Sequence, residues 1–73
     1  MTSHLQAAIL AVLPNRNEQA IPPREIFQRL GVDRPTASQR ASLSRSLSRL
    51  AARGLVVGLR DNIESRHHNW RRR

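Results

Sequence analysis

The residues able to do chemistry are concentrated between Thr36 and Val57, in TASQRASLSRSLSRLAARGLVV. On a helical period Ser38, Ser42, Arg45 and Arg49 fall on one stripe, flanked by the small residues Ala41, Ser48 and Ala52. A guanidinium can donate two parallel hydrogen bonds to guanine O6 and N7 or to a phosphate, and a serine hydroxyl can serve a base edge or the backbone. Gln39 adds an amide of the kind that grips adenine. Arg34, Thr36 and Arg40 open the same segment and join the candidate contacts to double-stranded DNA. Ordinary solvated helix faces carry Glu beside Lys, yet no acid occurs from Arg34 to Leu59. This face is built for a polyanion.

Charge over the whole chain agrees. The 73 residues carry 13 basic and 5 acidic side chains, a formal net charge of +8, and every base is arginine. Residues 1–33 hold Arg16, Arg24 and Arg29 against Glu18, Glu25 and Asp33, which cancel. Residues 34–73 hold ten arginines against Asp61 and Glu64, so the full excess of +8 lies there. Such asymmetry is an electrostatic footprint for nucleic acid.

Other chemistries find no support. None of the acids pairs on an obvious face, and Gly31, Gly54 and Gly58 make no phosphate-cradling loop. No Ser/His/Asp arrangement has a scaffold that could exclude water around it. His67 and His68 are adjacent, so on a strand they point to opposite faces and cannot share one ion; there is no cysteine to complete a shell. The expectation is a binding protein rather than an enzyme, with no cofactor and no metal. Without a membrane-length apolar run or a signal-like N-terminus, the expected location is cytoplasmic, on the nucleoid.

The elements that must position the Arg/Ser stripe can be read from local patterns. Leu43, Leu47 and Leu50 recur at i, i+4 and i+7 on the opposite side, giving the helix an apolar back with Ala51 at its edge. That stripe also argues against reading the repeat SLSRSLSR (42–49) as a disordered Ser/Arg tract. Thr36 and Gln39 form a capping box and Gly54 suits a left-handed stop, which bounds this helix at about 37–53. Upstream, Ser3 and Gln6 form another capping box before Leu5, Ala8, Ile9, Val12 and Leu13, predicting a first helix over about 3–13 that Pro14 ends. Ala20-Ile21 reads as a single-bridge strand, and Pro22-Pro23 starts a second helix over about 22–30, with Ile26, Phe27 and Leu30 inward and Gly31 as its stop. Val32 dips into the core from the turn that follows.

After Gly54, Leu55, Val57 and Leu59 alternate with Val56, Gly58 and Arg60 as a half-buried strand. A turn at Asp61–Glu64 sends Ser65–Trp70 back antiparallel, which sets Trp70 across from Leu55 as a lid on the hairpin. Arg60, Asn62, Arg66 and His67 then stand at the hairpin tip, poised for phosphate or minor-groove contact. Arg71–Arg73 read as a frayed tail.

Helix, short strand, helix, helix, strand, strand is the winged-helix order, and the fold class expected is α+β, mostly α: one three-helix winged helix-turn-helix domain over 1–73 with its hairpin wing at about 55–71. The local run Leu43-Ser44-Arg45 followed by Arg49-Leu50-Ala51-Ala52-Arg53-Gly54-Leu55-Val56 resembles prokaryotic winged helix-turn-helix regulators, locally those of the multiple-antibiotic-resistance type. The resemblance covers about residues 20–72. It implies a recognition helix in the major groove and a wing on the flanking backbone. Two departures stand out. The segment from Gly31 to Ser44 is longer than in that family, which would let Gln39 or Arg40 reach DNA its members do not touch. The helices that in such regulators build a dimer interface and effector pocket have no counterpart here, so no small-molecule effector is expected.

The function expected is sequence-selective duplex DNA binding by a small transcriptional regulator, in the manner of a phage, plasmid or other mobile element. An architectural or excisionase-like DNA-bending factor and a winged-helix protein-interaction module are the alternatives. A homodimer is expected, paired through the Leu5, Ile9 and Leu13 side of the first helix.

Overall fold

The computed structural model describes residues 4–60 and 68–73 and contains α1 (His4–Val12), α2 (Pro23–Arg29), α3 (Ala37–Ala52), β1 (Val56–Leu59) and β2 (Asn69–Arg72). Each helix ends where the sequence expects within one residue. Gly31 (φ 83°) and Gly54 (φ 75°) take the left-handed conformation that follows α2 and α3. The same paired bonds close both helices: Val32 N–H donates to Phe27 and Gly31 N–H to Gln28, as Leu55 does to Leu50 and Gly54 to Ala51. This double closure needs a positive φ at its centre, which only glycine reaches without strain. At the other end of α3, Thr36 Oγ1 accepts from the Gln39 N–H at 3.1 Å and Gln39 Oε1 accepts from the Thr36 N–H at 2.8 Å, completing the capping box. Ser3, its counterpart before α1, lies outside the described residues. Gln6 is buried and its Oε1 accepts from Nη1 of Arg53, the residue that caps the end of α3, at 3.5 Å, a long-range role that its place in a local cap conceals.

The core is one cluster of Ile9 of α1 and Leu13 just after it, the bridge residue Ile21, Ile26 and Phe27 of α2, Leu43, Leu47 and Leu50 of α3, and Val56 of β1. Burying each such side chain is worth roughly 1.5–3 kcal/mol, so the three α3 leucines alone fix which way that helix faces. Val32 and Trp70 pack against the cluster from its edge. Ile21 forms a two-way bridge with Trp70, its N–H donating at 2.9 Å and its carbonyl accepting at 2.7 Å, so the short upstream strand clamps the hairpin to α2.

The hairpin departs from the sequence reading in three respects. Its register pairs Val56 with Arg72 and Gly58 with Trp70, so Trp70 does not lie across from Leu55. The cause is the indole: a Cβ on Gly58 would stand 3.0 Å from two of its ring atoms, and glycine leaves that space open. Trp70 therefore pairs three residues further along the chain than Leu55; the expected turn at 61–64 lies outside the described residues. Second, Val56 is the residue β1 buries, while Leu55 and Leu59 remain 37% and 40% exposed. Third, Arg71–Arg73 are no frayed tail. Arg71 and Arg72 belong to β2, Arg72 N–H donates to the Pro14 carbonyl at 2.9 Å, and Arg73 N–H donates to Leu55 at 3.1 Å. Hydrogen bonds to two chain segments distant in sequence hold this end, and local composition does not reveal them.

Candidate nucleic-acid interface

The rigid back of α3 dictates what its front presents. With Leu43, Leu47 and Leu50 nearly inaccessible, Ser38, Arg45 and Arg49 stand on the solvent side. Ser42 is half-buried, set back from the crest, and Ser46 is buried against the core side. The side chains of Arg34, Arg40, Arg45 and Arg49 make no hydrogen bond or ion pair with any described residue. From Arg34 onward the described residues include no acid, so nothing among them competes for these guanidinium groups. Unpaired cations on one acid-free surface raise the local potential for an anion, and long exposed side chains can reorient to meet it.

Two of the predicted contacts already have work within the chain. Thr36 and Gln39 satisfy one another's backbone N–H groups across the first turn of α3. With its Oε1 engaged there, Gln39 has only its amide NH₂ to offer, and the two-point grip on adenine would require the cap to open.

Beside α3 runs a concave face whose floor is Phe27, Leu43, Leu47 and Trp70. Arg24 from α2, Arg40 and Ser44 from α3, and His68 and Asn69 from the hairpin stand along it. Arg24, Ser44 and His68 escaped the sequence reading because they come from three elements with no shared period. The Pro22-Pro23 start, which puts Arg24 in the first turn of α2, was the available signal for the first of them. On the hairpin, exposed Arg60 follows β1 and its Nε donates to His68 Nε2 at 3.4 Å. The His68 and Trp70 rings lie 5.7 Å apart, so Arg60, His68 and Trp70 form one continuous edge leading toward the wing. The other wing candidates, Asn62, Arg66 and His67, lie outside the described residues. No helix among the described residues is long and apolar enough to cross a membrane.

No family model and no curated protein matches the chain. A solved structure does: the chain is similar to the PcaV transcriptional regulator from Streptomyces coelicolor, whose crystal structure is in complex with its natural ligand, with a TM-score of 0.70 and 29% identity. The likeness takes in 99% of this chain and 45% of that one, so the chain spans less than half the length of the regulator it matches. Three helices with a two-stranded antiparallel hairpin, superposable on that regulator, make this a winged helix-turn-helix fold.

Proposed function

We propose that this winged-helix domain binds duplex DNA sequence-selectively as a small transcriptional regulator. The observation that carries the reading is the front of α3: Ser38, Arg45 and Arg49 are exposed and acid-free, on a helix fixed by a capping box at one end and a glycine closure at the other. A helix held at both ends can enter a major groove in one orientation, and the preorganisation spares it the cost of ordering on binding. Arg45 and Arg49 read base edges or phosphates, and Arg34, Arg40 and Ser42 flank them. Arg60, with Asn62, Arg66 and His67, grips the backbone beside the groove. The likeness to a transcriptional regulator supports the reading. No effector is carried over from it, because the likeness covers 45% of that chain.

Two copies engage one site in this proposal, because a single module buries only about 600–1,000 Å² on DNA. The pairing surface has to be smaller than the sequence suggests. Ile9 and Leu13 are covered within the domain (0% and 2% exposed), which leaves Leu5, with the exposed Ala7 and Ala11, as the part of α1 free to meet a second copy.

The test is affinity against salt. About four to six neutralised phosphates per subunit give a log–log slope near −4 to −5. An affinity that does not change between low and moderate salt would overturn the proposal and favour a protein-interaction module. Sedimentation on the preferred duplex, showing one copy or two, decides the pairing.

A further inference from the structure

A second concentration of positive charge lies at the root of the hairpin, away from the wing. Asn15, Arg16 and Asn17 of the α1–α2 connection and Arg72 and Arg73 of the chain end line a shallow depression there. It is held together from behind. Arg71 Nη1 donates to the carbonyl oxygens of Arg16 and Glu18, and Arg72 Nη2 donates to Asn15 Oδ1. The Nε atoms of Arg71 and Arg72 are buried and have no hydrogen-bond partner among the described residues. Atoms this inaccessible cannot meet a ligand where they stand; the exposed donors of the depression belong to Arg16 and Arg73, and a charged donor pairs most strongly with an oxyanion. The nearby acid, Glu18, is turned to its own loop: its Oε1 accepts from the Asn15 N–H at 2.9 Å, and it makes no ion pair with any described residue.

We propose that this depression is a phosphate-binding site distinct from the α3 and wing surface. Arg72 supplies a fixed guanidinium, while Arg16 and Arg73, both exposed, close over the anion from either side. Asn15 and Asn17 offer amide groups to the remaining oxygens. All five lining residues are polar, so charge and hydrogen bonding select the ligand, which excludes an aromatic or lipid-like one. The site is also displaced from the wing. Arg72 pairs with Val56, three residues along β2 from Asn69, or about 10 Å at the rise of a strand. The phosphate can belong to a free phosphoryl compound or to the backbone of a duplex.

Inorganic phosphate, titrated into ¹⁵N-labelled protein at constant ionic strength with chloride as the reference, tests the proposal. The amides of Asn15, Arg16, Asn17 and Arg73 should shift saturably with phosphate and not with chloride. R16Q and R73Q, singly and together, should weaken this at least tenfold. Folding should be unaffected, since Arg16 contributes its carbonyl and Arg73 its backbone N–H to the contacts around the site. Shifts that never saturate, that chloride reproduces, or that survive in both variants would overturn the site. A duplex arm separates the sources. A salt slope shallower by about one in R16Q assigns the phosphate to DNA, whereas an unchanged slope beside a lost phosphate titration assigns it to a free phosphoryl ligand.

Discussion

Arg45 and Arg49 on α3 are exposed and touch no described partner, whereas Arg71 and Arg72 on β2 are half-buried and spend their side chains on the 14–18 connection. Arg29 on α2 resembles the second pair, spanning Glu25 at 3.2 Å and the Val12 carbonyl at 2.9 Å. The residue type is the same throughout, so the difference lies in what surrounds it. Where backbone carbonyls are within reach an arginine becomes a strut, and where a helix front offers neither acid nor carbonyl it remains available. Stability and recognition are therefore carried by different members of one arginine set.

Substitutions at each end can break that division. Arg72→Ala should have the largest effect on folding: it removes the bond to Asn15 and loosens the loop, a loss of about 1–3 kcal/mol. In a domain of this size that is a fall in Tm of roughly 4–8 °C per kcal/mol, measurable by calorimetry. Arg45→Ala should do the reverse. Its stability should stay within about 0.5 kcal/mol of the parent, while affinity for the preferred duplex falls by about 1–3 kcal/mol and selectivity relaxes at one base position. A large drop in Tm for Arg45→Ala, or none for Arg72→Ala, would erase the distinction. Arg60→Ala should have the smallest effect. It should weaken preferred and random duplexes alike and make the salt slope shallower by about one, as measured by titration at several salt concentrations.

Much of this architecture is legible in the chain because its signals are local. The Thr36–Gln39 box spans three residues, the glycine stops act on the turn just before them, and the leucine stripe repeats within three or four positions. Gln6 shows what such reading does not reach. Its spacing from Ser3 fits a cap pattern, and nothing in that spacing points to the bond its Oε1 accepts from Arg53, 47 residues away. The groove residues Arg24, Ser44 and His68 are hidden for the same reason, since only packing brings their three elements together.

The sequence alone therefore determined the order of the elements, the ends of α2 and α3, and which face of α3 turns outward, because each depends on neighbours within about one helical turn. Only the tertiary structure decided the hairpin register and the different fates of the arginines. Both depend on pairings between distant segments: Trp70 settles over the one β1 position without a side chain, and the bridge to Ile21 then brings the chain end against the 14–18 connection, where Arg71 and Arg72 find their carbonyl and amide partners.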